Sequence, residues 1–188
     1  MAEDVDLETR TGLPDALTEL VREHPRDLWQ SHAAFDGLTR FWLDRHILFR
    51  RLLAQIQEET QAMLDRRVDP DRATRRVARS AQLVLSELHA HHRIEDSAYF
   101  PRLETLEPRL TRGFYILDHD HHALDGHLTR LAETTNRLIR AEPIARHARA
   151  GDLVGAVSGF ERLLDRHLVD EEELVVPILL KHGQALGA

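Results

Sequence analysis

The chain contains no cysteine, few aromatic residues (5%) and no long apolar run. The absence of cysteine excludes disulfides, iron–sulfur clusters and thiolate zinc sites, so any bound metal must be held by nitrogen and oxygen. No stretch approaches the roughly 18 apolar residues that a membrane span requires. The opening segment Met1–Asp6 is acidic and has no apolar core. It does not read as a secretory signal, and the expected location is the cytoplasm. An excess of basic charge is missing too. The formal net charge is -7, whereas a nucleic-acid binder needs a basic face. The arginine pairs Arg50–Arg51, Arg66–Arg67 and Arg75–Arg76 have acidic neighbours and read as solvated helix faces.

What is present suits one globular domain: 188 residues, 42% hydrophobic and 30% charged. Period-2 alternation is scarce, and the 3.6-residue period is strong. A short helix is predicted near Pro14–Glu23, followed by a loop around Pro25. Four long helices follow, at about Asp36–Arg66, Asp71–Tyr99, Pro108–Ala141 and Asp152–Lys181. Asp36 serves as a cap, Pro101 as a break or kink, and Gly183 as a stop. A link carrying Pro143 and Gly151 separates the last two. Short links between long helices predict an all-α, antiparallel up-down four-helix bundle with a short extra N-terminal helical segment. Residues 1–35 read as an extension packing on the bundle of residues 36–188, and its removal is expected to leave a bound metal in place.

Each helix carries an apolar stripe, and each stripe is interrupted. The first reads Trp42, His46, Phe49, Leu53, Ile56. The second reads Val77, Ala81, Val84, Leu88, His91, Glu95, Ala98. The third reads Leu117, His121, Leu124, Leu128, Leu131, and the fourth Val157, Phe160, Leu164, His167, Glu171, Leu174, Ile178. Steps of three and four keep each set on one face. Histidine is also abundant, with 13 residues. A buried unpaired carboxylate costs several kcal/mol, and no stripe offers a lysine. A metal cation is the simplest partner that Glu95 and Glu171 can share.

Two segments match in register. His91 is followed by Glu95 at four residues, Asp96 at five and Pro101 at ten; His167 is followed by Glu171, Glu172 and Pro177 at the same intervals. Residues four apart on a helix point the same way, so imidazole and carboxylate can grip one ion or an adjacent pair. His121, not His119 or His122, falls in register with Leu117, Leu124 and Leu128. His122 lies some 100° round the helix, a flanking position. His92 and Asp96 form a second pair displaced by one residue and read as surface or outer residues. Asp96, Glu172, Asp118 and Asp120 are candidates for orienting the histidines.

These residues carry a resemblance to the hemerythrin-like, or HHE cation-binding, domains. The pattern H…HxxxE…H…HxxxE is met by His46 (within Phe41–His46), His91/Glu95 with Phe100–Pro101, His121 (within Asp120–His122) and His167/Glu171, over roughly residues 36–182. The resemblance implies a four-helix bundle with two non-haem iron ions, oxo- or hydroxo-bridged. It makes His46, His91, His121 and His167 terminal ligands and Glu95 and Glu171 bridges. The oxygen-carrying members supply two histidines, four apart, from the third helix. Here the residue four beyond His121 is Asp125, which is either a further ligand or a bystander. The chain is in this respect more similar to bacterial variants linked to peroxide, nitric oxide or iron handling, and to oxidative stress, than to oxygen stores. The implied ligands are O2, H2O2 or NO, with catalase-like peroxide disproportionation as one activity. The alternatives are a non-enzymatic iron or oxygen sensor acting through a partner, and a bundle with structural zinc or no metal. Oligomeric state is not legible in the sequence.

Overall fold

The computed structural model describes residues 5–182. Among them the elements are helical throughout, with no strand: α1 (Glu19–Glu23), α2 (Gly37–Leu64), α3 (Pro70–Ile94), α4 (Phe100–Leu106), α5 (Thr111–Ile139) and α6 (Pro143–His182). Short 3-10 turns lie at Asp15–Leu17, Arg26–Ser31 and Pro108–Leu110, and a π turn at Glu95–Tyr99 joins α3 to α4. None of these helices is long and apolar enough to cross a membrane. The expected stop at Gly183 lies outside the described residues.

Local chemistry accounts for the ends. Asp36 caps α2, its Oδ1 accepting the Thr39 N–H at 3.0 Å, and Asp69 caps α3 through the Arg72 N–H at 2.8 Å. After α2 the chain turns at Arg66, which takes the left-handed φ of 56°. The expected helix over Pro14–Glu23 is instead a 3-10 turn and the five-residue α1, because Thr18 (φ -98°, ψ 8°) leaves helical geometry between them. The link before α6 is only residues 140–142, and it carries neither Pro143 nor Gly151. Pro143 occupies the first helical position, where its missing N–H costs nothing. Gly151 sits inside the helix at a propensity cost of about 1 kcal/mol, and the burial of Ala150 and Leu153 offsets it.

Pro101 does not break the second long helix either. The helix widens first. In the π turn the Phe100 N–H bonds to Glu95 O, five residues back, and Pro101 then lies in the first turn of α4. One residue added to a turn shifts every later side chain round the helix. The predicted stripe position Ala98 is therefore exposed, and Phe100 and Leu103 are buried in its place.

By its contacts the chain forms two compact units. One comprises the chain up to His46, His92–His122 and the chain from Asp165. Its core holds Leu13, Leu17, Leu20, Trp42, Phe100, Leu103, Phe114, Leu117, Leu174 and Ile178. Gly113 allows a close approach there: a Cβ at this position would stand 2.8 Å from both Leu174 methyl carbons. A smaller apolar cluster joins Trp29, Val176 and Leu180. The other unit comprises Ile47–His91 and Ala123–Leu164. It buries the remaining stripe residues, among them Phe49, Ile56, Val84, Leu88, Leu124, Leu131 and Phe160. Ser80 donates to Gln55 across its helices, and Arg76 pairs with Glu59.

Glu107, buried at the end of α4, accepts hydrogen bonds from Lys181 and His182 and a longer one from Arg109. The Lys181 and His182 bonds hold its pKa at about 2, below the ordinary 4.5. A depressed carboxylate stabilises the fold above its unfolded pKa, and the contribution fades as pH falls from about 4.5 toward 2. Its cationic partners are partly exposed, which limits the gain to about 1 kcal/mol. Glu107→Gln is expected to lose that much at pH 7 and to flatten the acid limb of the urea-unfolding stability curve over this pH range.

Candidate metal centre

Four helix segments and one irregular turn supply the centre. α2 contributes Trp42 and His46, and α3 contributes His91 and His92. The π turn contributes Glu95, Asp96 and Tyr99. α5 contributes Asp120 and His121, and α6 contributes His167, Asp170, Glu171 and Glu172. The two carboxylates of the matched motifs, Glu95 and Glu171, are both 0% exposed.

Two groups of candidate donors form. In the first, His46, His91, Glu95 and Glu171 each offer an atom within 4.8 Å of the others; in the second, His92, His121 and His167 do the same. The carboxylates face both ways. One Glu171 oxygen lies 3.3 Å from His46 Nε2, and the other lies 3.6 Å from His167 Nε2. Glu95 shares the first group and also places Oε2 3.6 Å from His121 Nε2. The two 3.6 Å separations are too long for hydrogen bonds. Two atoms about 2.1 Å from an ion, at tetrahedral to octahedral angles, stand about 3.0–3.4 Å apart; the 3.3 Å His46–Glu171 separation falls in that range and the two 3.6 Å separations lie just beyond it. His121 Nε2 and His167 Nε2 are buried with no hydrogen-bond partner. Such atoms call for a ligand, and the donor set fits a hard or borderline metal ion.

The opposite ring nitrogens are each engaged by an acid. His46 Nδ1 meets Glu172 at 2.9 Å, His121 Nδ1 meets Asp96 at 2.8 Å, and His167 Nδ1 meets Asp120 at 3.2 Å. With Nδ1 turned toward these acids, Nε2 is the nitrogen of each ring that faces the carboxylates of the centre. Three of the acids expected to orient histidines do so. Asp118 does not: it stands 4.0 Å from the exposed His122.

The metal-free electrostatics show what these residues require. Burial, and then the nearby charge of Glu171, push the Glu95 carboxyl well above its ordinary value. Burial alone would lower His46, but the charges and hydrogen bonds of Glu171 and Glu172 prevail and raise it to about 9. A proton on His46 thus partly supplies the positive charge that the two carboxylates demand. His167 moves the other way, lowered by burial and by the neighbouring His121 despite Asp120.

The structure brings His46, His91, Glu95, His121, His167 and Glu171 into these two groups. Of the additional candidates, His92 is buried, stacked flat on His121 with ring centroids 3.9 Å apart. Asp96 lies outside the donor groups and holds His121. Asp125 and His122 are exposed and belong to neither group. Sequence reasoning placed His92 on a surface or outer position because it lies one residue off the stripe; helix rotation of about 100° still leaves it inside where a third and fourth helix segment close over that face. Two participants escaped it. Trp42 donates its indole N–H to Glu171, a role that its stripe position hid behind packing. Arg10 is buried against Asp120 and Asp170, and only the 160-residue separation in sequence concealed it.

Comparison with curated proteins and with solved structures finds no match. The family model of the hemerythrin HHE cation binding domain matches residues 37–179. The matched span contains all six residues of the two motifs and the two single histidines, and the all-α fold accords with the bundle of that family. The chain therefore belongs to the hemerythrin HHE cation-binding family.

Proposed function

We propose that the protein is a non-haem di-iron protein that handles O2, peroxide or nitric oxide. The observation that carries this reading is that Glu95 and Glu171, both fully buried, each face histidine nitrogens on two sides. That is the arrangement of a carboxylate shared between two ions. His46 and His91 would serve one ion and His121 and His167 the other, with Glu95 and Glu171 shared. Two irons, oxo- or hydroxo-bridged, would supply redox and Lewis-acid chemistry toward these small ligands.

The chain's own residues set the conditions. Glu172, Asp96 and Asp120 fix the tautomers of His46, His121 and His167, so that each presents a lone pair inward. Trp42 holds one Glu171 oxygen by its N–H and rests edge-on against Tyr99, with centroids 4.9 Å apart. Phe100 and Leu117 are buried in the apolar core of the same unit, and such a shell limits water at a site of this kind. His92, against His121, offers either a further nitrogen or an imidazole that can carry protons during peroxide disproportionation.

Anaerobic ferrous titration is expected to saturate at two ions per chain. Excess iron at about 100 times its dissociation constant stabilises the fold by about 2.7 kcal/mol for each ion bound, so two ions raise Tm by roughly 10–20 °C over the chelated protein. His46→Ala is expected to reduce loading to one ion, and Glu171→Ala to abolish it, both with native helicity; equal loading in all three proteins would contradict the shared-carboxylate reading.

Iron-loaded protein is expected to evolve O2 from peroxide, or to change its visible spectrum with O2 or NO, and Glu171→Ala to do neither. A loaded protein inert to all three ligands would instead favour a sensor or iron-binding role. That second reading draws on the attachment of residues 5–35 to the helices carrying the site, through Arg10 and Arg26.

A further inference from the structure

Among the described residues 5–10, Arg10 reaches the centre by its side chain. Arg10 lies on a short turn held by Thr9 and Arg10 N–H bonds to Asp6 O. Its side chain is 1% exposed, and the Asp120 and Asp170 side chains it meets are 0% exposed. Its guanidinium grips Asp120 with two prongs, Nη1 to Oδ1 at 2.7 Å and Nη2 to Oδ2, while Nε donates to Asp170 Oδ2 at 2.8 Å. Nη1 also donates to Val5 O at 2.9 Å. Asp120 is the carboxylate that engages His167 Nδ1. Asp170 is held in turn by Arg166, which also donates to Thr11 O. Nearby Leu13, Leu17 and Leu20 are buried in the core of the same unit.

We propose that Arg10 is a positioning residue of the metal centre: its two-pronged grip sets the plane of the Asp120 carboxylate, and Asp120 sets the ring of His167 and so the direction of its inward nitrogen. This rests on the di-iron reading of the site. The chain of contacts runs from the N-terminal segment through α5 to a donor on α6 without a gap. Only arginine can make it. The planar fork matches both oxygens of one carboxylate and still presents Nε to a second, whereas a lysine ammonium is a single point of charge. Carboxylates that orient metal-bound histidines change metal affinity by about 10- to 100-fold when removed. The N-terminal extension is then part of the centre, and its removal should release metal, the reverse of the expectation from sequence.

The test compares wild type, Arg10→Lys and the charge-balanced double variant Arg10→Met/Asp170→Asn, each full length. Two quantities are measured: ferrous affinity against a competing chelator, and the exchangeable, hyperfine-shifted histidine N–H proton signals of the cobalt(II)-loaded proteins. In the double variant, affinity is expected to fall by about 10-fold or more, and one N–H signal to exchange faster while the others keep their positions. Arg10→Lys, which keeps the charge but not the fork, is expected to recover folding stability but not the slow exchange. A double variant with wild-type affinity and signals would overturn the proposal and leave the di-iron reading standing. Should the double variant fail to fold, wild-type behaviour of Arg10→Lys would overturn it, and a loosened signal in a native-like Arg10→Lys would support it. Wild type that takes up neither ferrous iron nor cobalt would overturn both.

Discussion

Glu95 and Glu171 are two carboxylates with no exposure to water, set among imidazoles. Water cannot screen them there, and each raises the cost of ionising the other. Left alone, such a pair would remove several kcal/mol from a fold whose total stability is of order 10 kcal/mol. The rest of the site answers this constraint. Burial and the charge of Glu171 shift Glu95 upward, and the charges and hydrogen bonds of Glu171 and Glu172 raise His46 to about 9, so both groups are pushed toward holding a proton. On the proposed reading, metal ions would meet the constraint better, because an ion between donors would replace a proton and would also take up the lone pairs of His121 and His167.

The surrounding shell repeats one device three times. An inward Nε2 is aimed by an acid at Nδ1: Glu172 for His46, Asp96 for His121 and Asp120 for His167. The acids themselves are held. Arg26 pairs with Glu172, and Arg10 pairs with Asp120. Both arginines come from the first 35 residues, so the segment outside the long helices is coupled to two of the three aiming acids. The π turn works at the same level. It begins at Glu95, returns Phe100 and Leu103 to the core, and accommodates Pro101. A wide turn is locally costly and tends to persist where function requires it, and here its first residue is one of the two buried carboxylates of the candidate centre.

Most of the fold, and the burial of the six candidate donors, is legible from periodicity, because core stripes and motif spacing are properties of single helices. His46, His91, Glu95, His121, His167 and Glu171 all fall on buried stripe positions. What escaped depends on departures from ideal helices or on partners distant in sequence. Ala98 was misplaced because a π turn adds one residue to the repeat. The start of α6 was missed because a proline that ends one helix equally well begins the next. His92 lies one residue off its stripe, and only packing of α5 and α6 segments against that face buries it. Arg10 lies outside every regular element, and no local pattern signals that an arginine near the N-terminus will meet two aspartates 110 and 160 residues away.

The most direct test of the central claim is a crystal structure of the iron-loaded protein with anomalous scattering recorded at the iron edge. The account requires two iron peaks about 3.5–4 Å apart, both within bonding distance of Glu95 and Glu171, with His46 and His91 on one side and His121 and His167 on the other. A single peak, or two peaks of which Glu95 and Glu171 touch only one, would contradict it.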